Sequence, residues 1–295
     1  AARYEVDDEF FDLGGHSLLV IALFAAIEER FGKRLPLQQI FVTPTITKTF
    51  VTSPMCSNSR CGPPSSTSER VTSTSPPAAR APHPGIAADR LARPTNDLRV
   101  RLVVLGDFVD RGPASKTVLS ALEAAARSDN VVVLLGNHEQ VMLECAAGWH
   151  DARDGWLRFG GEATLRSFGV APPGQDEPLS QFAQRFRSAV GEESLAWLSG
   201  LPLSVQSGDF YFCHAGVKPG RNLAHQDAQD LLWIRDEFLR SRRNHGAVIV
   251  HGHSISPSVE VNVSRIGIDT GAYRTGRLTA LAIEEDQLWT LTTEP

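Results

Sequence analysis

Two stretches of the chain decide its fold: VRLVVLGDFVDRG at Val100–Gly112 and VVVLLGNHE at Val131–Glu139. Each begins with β-branched and aliphatic residues, the pattern of a buried strand, and continues into a polar loop that starts with glycine. The apolar spacing of Ala114–Arg127, between the two stretches, predicts a helix. Strand, polar loop and helix in this order predict an α/β architecture.

The same alternation continues to the end of the chain. Further strands are predicted at Tyr211–Cys213, Val248–Val250, Arg265–Ile268 and Leu278–Ile283, with helical stretches at Leu179–Val190 and Ala228–Leu239. This order fits a β-sandwich flanked by helices over residues 86–295, although it leaves the strand order open.

Side chains that bind metals stand where the predicted strands end. Asp107 and Asn137 offer hard oxygen atoms, and His214 and His253 offer imidazole nitrogens. Ligands collect at the carboxyl ends of strands in α/β sheets, and this mixture of oxygen and nitrogen suits divalent manganese, iron or zinc. The sequence therefore indicates a divalent metal pair at this edge of the sheet.

These motifs resemble the phosphoprotein phosphatase (serine/threonine phosphatase) branch of the calcineurin-like metallophosphoesterases, particularly its bacterial members. Gly106–Gly112 matches the family's GDxVDRG motif, and Gly136–Glu139 matches GNHE. His214-Ala215-Gly216 and Gly252-His253 are similar to its two later histidine motifs, and Trp233-Ile234-Arg235 and Asp269-Thr270-Gly271-Ala272 stand where bacterial relatives have them. The resemblance covers residues 86–295 and implies a metal-dependent phosphoester hydrolase that favours manganese.

The resemblance also implies a set of metal ligands. Asp107 would bridge the two metals, and Asn137, His214 and His253 would complete the shell of the second metal. His253 rather than the nearby His251 stands at the motif position.

By the same resemblance, four residues would carry the chemistry. His138, oriented by Asp110, would be the general acid that protonates the leaving oxygen. Arg111 and Arg235 would bind the phosphoryl oxygens while a hydroxide activated by two metals attacks in line. No covalent intermediate is implied.

Each of these residues also has a purely structural interpretation. Asp107 and Asp110 suit a turn after a strand, and Asn137 suits a helix cap. His214 follows an apolar strand and could belong to the core, while Arg235 could pair with neighbouring acids on a solvated helix. The aromatic residues of Trp149–Gly169, Trp156 and Phe159 among them, are expected to pack in the core rather than to form a lid.

The family's earlier GDxHG motif, whose Asp and His hold the first metal, does not occur in this sequence. Ala81–Gly85 has a His and a Gly in the right order, but alanine replaces the Asp and prolines flank His83. We therefore expect the first strand to be missing, with exposed sheet edges and weakened activation of the attacking water.

The amino-terminal run Asp7–Leu18 resembles the phosphopantetheine attachment loop of peptidyl carrier domains from nonribosomal peptide synthetases. The resemblance implies that Ser17 carries 4′-phosphopantetheine, although a serine there also suits the N-cap of the amphipathic helix that follows. It divides the chain into a partial helical carrier domain (1–51), a disordered linker rich in Ser, Thr and Pro (52–85), and the phosphoesterase domain (86–295), which is incomplete at its N-terminus.

Composition limits the partners. The chain has 29 Lys and Arg against 34 Asp and Glu, a net charge of −5, so nucleic acid and anionic membranes are not expected. The longest apolar run, Leu18–Ile27, is too short to span a bilayer, and a cytoplasmic protein is expected. The expected substrate is a phosphorylated protein or a small phosphoester.

Three functions remain open from the sequence. The chain is an active phosphatase that uses surrogate ligands or one metal, a carrier module, or an inactive truncated fusion. The family that it resembles uses phosphoserine proteins, phosphotyrosine and dinucleoside polyphosphates as substrates. The carrier function implies a pantetheinyl transferase and synthetase modules as partners.

Overall fold

The computed structural model describes residues 49–52, 101–284 and 287–293. Ser17, nearly all of the predicted carrier segment and the predicted linker lie outside the described residues, so their boundaries stay a prediction. None of the described helices is long and apolar enough to cross a membrane.

The described strands form two sheets of five strands each. The first sheet has the order β10-β9-β1-β2-β3, with β1 at Thr49–Thr52, β2 at Arg101–Val104, β3 at Val131–Val133, β9 at Thr279–Glu284 and β10 at Gln287–Thr292. The second has the order β4-β5-β6-β8-β7, with β4 at Ser204–Ser207, β5 at Phe210–Cys213, β6 at Val248–His251, β7 at Glu260–Val261 and β8 at Arg265–Gly267. The predicted α/β sandwich is confirmed.

Helices cover the outer face of the first sheet and the edges of the site. They are α1 (Ser115–Ala125), α2 (Asn137–Ala146), α3 (His150–Trp156), a π-helical turn (Leu157–Gly161), α4 (Glu162–Ser167), α5 (Leu179–Val190), α6 (Glu192–Ser199), a 3₁₀ turn (Leu223–His225), α7 (Ala228–Trp233), α8 (Asp236–Leu239) and α9 (Ala272–Thr275).

Strand β2 lies at the centre of the core because both of its faces are covered. Side chains alternate along a strand, so Leu102 and Val104 pack against the helices. Val103 and Leu105, at the alternate positions, pack between the two sheets. An uninterrupted apolar run is the expected sequence for a strand buried on both faces.

Strand β1 lies inside the first sheet, between β2 and β9. It runs antiparallel to β2, with Thr49 opposite Val104 and Thr52 opposite Arg101, and parallel to β9. Backbone groups in a buried sheet need partners, which explains why a short segment fills this place. Because β1 runs against β2, its amino end lies at the edge where the motif loops begin.

The predicted helix Ala228–Leu239 is wrong in one respect. It is divided into α7 and α8 at Ile234 and Arg235, and Arg235 has φ −132° and ψ −107°, outside the helical region. This break removes Arg235 from a continuous solvated helix face and lets it line the central cavity.

Candidate active site

The two motif loops meet at the carboxyl ends of the parallel strands β2 and β3. A Cβ atom on Gly106 would lie 2.5 Å from the backbone nitrogen of Gly136, so the loops approach more closely than a side chain permits. Asp107, Asp110 and Arg111 have φ values of 57°, 71° and 65°, in the left-handed region that non-glycine residues rarely adopt. Such strain persists only where the surroundings hold it.

Glu139 holds this strained loop. Its fully buried carboxylate accepts the backbone N–H groups of Asp107 at 2.8 Å, Phe108 at 2.8 Å, Val109 at 3.0 Å and Gly136 at 2.9 Å. Burial and the negative charge of Asp107 raise the pKa of Glu139 to about 7, whereas the N–H groups favour the charged form. Glu139 belongs to the GNHE motif, but the sequence alone predicts no role for it.

The four predicted ligands converge at one point. Nε2 of His214 lies 2.8 Å from Oδ1 of Asn137, 3.2 Å from Nδ1 of His253 and 3.2 Å from Oδ1 of Asp107. Nδ1 of His253 lies 2.9 Å from Oδ1 of Asn137. Among the described residues, no other group of three or more His, Cys, Asp or Glu brings its ligand atoms this close together.

The tautomer of His214 suits metal binding. Its Nδ1 lies 2.7 Å from the carbonyl oxygen of Leu105, which accepts the ring proton there. Nε2 therefore turns a lone pair toward the other ligand atoms, as metal-binding histidines do. The lone pairs of the four ligand side chains and the carboxylate of Asp107 face one another at this distance, and a bound cation would stabilise them. This set of oxygen and nitrogen donors fits manganese, iron or zinc.

His251 lies outside this group. Its ring is 5.0 Å from the ring of Phe238, and a Cβ on Gly267 would lie 3.2 Å from it, so His251 fills space in the core behind the site.

Asp110 and His138 form a tight pair beside the ligand group. Nδ1 of His138 lies 2.6 Å from Oδ2 of Asp110, whose side chain is fully buried. Burial alone lowers the pKa of His138, but the charge of Asp107 and the hydrogen bond and charge of Asp110 outweigh it, so the pKa is raised. A histidine that holds its proton more firmly suits a general acid.

Both predicted arginines reach the cavity. The backbone N–H of Arg111 donates to the carbonyl of Gly160 at 3.1 Å, and its Nε donates to the carbonyl of Phe159 at 3.3 Å. The guanidinium of Arg111 lies 4.0 Å above the ring of Tyr273. Nη1 of Arg235 donates to the carbonyl of His253 at 3.3 Å, which connects Arg235 to one of the predicted metal ligands.

The cavity in front of these groups has a volume of about 1050 Å³ and an aromatic wall. Its aromatic lining residues are Trp149, Trp156, Phe159, Trp233 and Tyr273. The expectation of core packing holds for Trp156 but is wrong for Phe159, which is 66% exposed at the rim beside the equally exposed Trp149. Next to Phe159, Gly160 permits the close approach of Arg111, because a Cβ there would lie 2.5 Å from Cγ of Arg111.

Residues 87–279, well over half of the chain, match the profile of the calcineurin-like phosphoesterases. The chain belongs to the calcineurin-like phosphoesterase family. Residues 2–49 match the phosphopantetheine attachment site, so the phosphoesterase is fused to a carrier-type segment.

Individual relatives are similar to part of this chain. A symmetrical bis(5'-nucleosyl)-tetraphosphatase of Vibrio campbellii is 28% identical over 119 residues, 40% of this chain and 35% of that protein. Its counterpart from Vibrio cholerae strain M66-2 is 31% identical over 128 residues, 43% of this chain and 38% of that protein. The chain thus spans little more than a third of these relatives' length.

The amino-terminal segment has relatives of another kind. A dimodular nonribosomal peptide synthase of Bacillus subtilis is 48% identical over 44 residues, which is 15% of this chain and 2% of that protein. The finer resemblance to serine/threonine phosphatases stays a prediction, because the phosphoesterase relatives carry the name of tetraphosphatases.

The ligand group predicts the metal content of the protein. We expect Mn²⁺ to bind at this ligand shell, which the described residues build; the second ion of the predicted pair stays a prediction. At 100 times the dissociation constant, one bound ion raises the free energy of unfolding by about 2.7 kcal/mol. Titration calorimetry gives the stoichiometry, and thermal unfolding with and without chelator gives the stabilisation.

A matched pair of variants checks that this ion lies at the predicted place. His253→Asn should lose most of the stabilisation by Mn²⁺, whereas His225→Asn, in the 3₁₀ turn, should keep it. Equal stabilisation of both variants by Mn²⁺ would contradict a metal site at these ligands.

Proposed function

We propose that this phosphoesterase hydrolyses phosphate esters and anhydrides of nucleosides, with dinucleoside polyphosphates as the preferred class. The observation that carries the proposal is the convergence of the Asp110–His138 pair, the ligand group and both arginines on one cavity with an aromatic rim. Family membership supports phosphoester chemistry, and the names of the Vibrio relatives support the nucleotide class.

The residues divide the work by position. A divalent ion held by Asp107, Asn137, His214 and His253 would supply positive charge to the reacting phosphoryl group and acidify a water. His138 uses Nδ1 to donate to Asp110, which leaves Nε2 to hand a proton to the leaving oxygen.

The arginines bind the phosphate. Arg111 is held from two sides by the carbonyls of Phe159 and Gly160, so little freedom remains to be lost when it binds a phosphoryl oxygen. Arg235, held at His253, faces the same cavity. Two guanidinium groups suit the several negative charges of a polyphosphate chain.

The aromatic rim selects the remainder of the substrate. Trp149 and Phe159 line the cavity and are 61% and 66% exposed, so both present aromatic surface that a bound ligand can contact. Stacking of a nucleobase on an aromatic side chain contributes about 1–3 kcal/mol. A phosphoserine peptide, the substrate expected for the serine/threonine branch, offers no flat group to this rim.

The substrate class is tested by comparing kcat/KM for diadenosine tetraphosphate and for a phosphoserine peptide with Mn²⁺ present. We expect the dinucleotide to be preferred at least tenfold, the ratio of about 1.4 kcal/mol that one stacked base provides. Phe159→Ala should lower kcat/KM for the dinucleotide by about tenfold and leave the peptide unchanged.

The control for Phe159 is Val263→Ala, which removes a 79% exposed apolar side chain that does not line the cavity. It should change neither rate. A preference for the phosphopeptide would overturn the nucleotide proposal and favour the serine/threonine branch.

A second function, acyl carriage on Ser17, is favoured by a separate observation. The match over residues 2–49 and the synthetase relative both fall on the amino-terminal segment, where Ser17 stands in the attachment motif. A pantetheinyl transferase and synthetase modules are the partners proposed for it.

We expect incubation with coenzyme A and a broad-specificity pantetheinyl transferase to add one prosthetic group per chain, because one serine stands in the motif. Mass spectrometry of the intact protein measures the addition, and Ser17→Ala should prevent it. An unchanged mass of the unsubstituted protein would reject this function.

A further inference from the structure

The carboxylate of Asp110 is held by more than its histidine. Nε1 of Trp156 donates to both of its oxygens at 3.0 Å, and Oγ1 of Thr164 lies 2.7 Å from Oδ1. The backbone N–H of Asp110 donates to Oγ1 of Thr164 at 2.9 Å and to Oγ of Ser115 at 3.2 Å. A fully buried carboxylate is thereby satisfied by three side-chain partners, as buried charges require.

Trp156 differs from the other partners in what it can do. An indole N–H only donates, whereas a threonine hydroxyl donates or accepts. The N–H contact therefore fixes the carboxylate of Asp110 as an acceptor and fixes the plane in which its oxygens lie. Without it, the carboxylate torsion has a broad range of orientations.

The indole itself has little freedom to move. Trp156 is 1% exposed, and its ring lies 5.1 Å from the ring of Phe186. On the other side, a Cβ at Gly161 would lie 2.4 Å from Cδ2 of Trp156, so only glycine permits this approach. Gly161 follows Gly160, whose φ of 114° interrupts the helical path between α3 and α4.

We propose that Trp156 is a positioning residue of the reaction, which directs Oδ2 of Asp110 toward His138 so that Nε2 of the imidazole is aimed at the leaving oxygen. This proposal rests on the proposed hydrolase function and assigns Trp156 to the general-acid step alone. The indole ring lines the cavity, but the group that acts is the N–H behind it.

The general-acid step gives a specific signature. Trp156→Phe keeps an aromatic ring, although a smaller one, and removes the N–H, so it should lower kcat about 10- to 100-fold for an alkyl phosphate ester, whose leaving oxygen needs a proton, without changing KM. For p-nitrophenyl phosphate, whose leaving group departs without a proton, kcat should fall less than about threefold. A purely structural role of Trp156 would lower both rates equally.

Two further variants make the result unambiguous. Trp289→Phe, in β10, removes an indole N–H from a buried tryptophan that does not line the cavity, and it should change neither rate. Replacement of Trp156 by 3-benzothienylalanine, which has sulfur in place of N–H, keeps the indole volume and should reproduce the effect of Trp156→Phe if the phenylalanine variant unfolds.

A spectroscopic readout separates this proposal from the proposed function. The Nδ1–H of His138, in its 2.6 Å contact with Asp110, should give a far-downfield proton resonance that His138→Gln removes. Trp156→Phe should shift or broaden that resonance, and Trp289→Phe should not. Equal loss of rate for both esters, or an unchanged resonance in Trp156→Phe, would overturn the proposal. If the protein hydrolysed neither ester but Trp156→Phe still changed the His138 resonance, only the proposed function would be overturned.

Discussion

Asp107→Asn should abolish the binding of Mn²⁺ and lower kcat/KM by at least about 10³-fold, since a catalytic metal contributes several kcal/mol. Asp107 supplies the carboxylate of the ligand group, and its Oδ1 lies 3.2 Å from Nε2 of His214. The amide keeps the size and removes the charge. Calorimetric titration with Mn²⁺ and hydrolysis assays at saturating metal measure the two effects.

The control for this substitution is Asp209→Asn. Asp209 is an exposed residue in the turn between β4 and β5, away from the cavity, and its neutralisation should leave both metal binding and rate unchanged. Circular dichroism should show that both variants are folded. If Asp107→Asn bound Mn²⁺ as tightly as the unsubstituted protein, the ligand group would not be the metal site.

The strands that carry the motif loops could be predicted because their signals are local. The apolar run before Gly106 and the one before Gly136 each encode a buried strand within a few residues, and the observed strands β2 and β3 fall inside them. The loops follow directly, so the meeting of Asp107 with Asn137 follows from placing two parallel strands side by side.

Other features depend on contacts between distant residues and leave no local signal. Strand β1 pairs with both β2 and β9, so its place depends on the backbone hydrogen-bond partners that these two strands need. The break at Arg235 interrupts a sequence whose helical propensity is unbroken, which is the usual result when tertiary contacts override local preference.

The hydrogen bond from Trp156 to Asp110 joins residues 46 positions apart and has no motif of its own. Only the pair Gly160-Gly161, two adjacent small residues in an otherwise helical stretch, was a signal that some element passes close by. The sequence thus locates the reacting groups more readily than the residues that hold them in place.

The second large effect concerns Glu139. Glu139→Gln should lower the free energy of unfolding by about 2–4 kcal/mol, because the amide replaces one acceptor oxygen by an NH₂ group and leaves buried backbone donors without an acceptor, each costing about 1–3 kcal/mol. Those donors belong to the loop in which Asp107 holds its left-handed φ of 57°. Urea denaturation in the presence of a chelator measures the loss without any contribution from bound metal.

Glu162→Gln is the matched control, since it removes a carboxylate that is 53% exposed and whose nearest basic partner, Arg166, is 3.8 Å away. Exposed pairs of this kind contribute little, so we expect a change within about 0.5 kcal/mol. A loss for Glu139→Gln no larger than the control's would mean that the four backbone contacts of Glu139 do not hold the loop. A large loss of stability that is accompanied by weaker Mn²⁺ binding would instead connect Glu139→Gln with Asp107→Asn, because the strained loop held by Glu139 is what presents Asp107 to the metal.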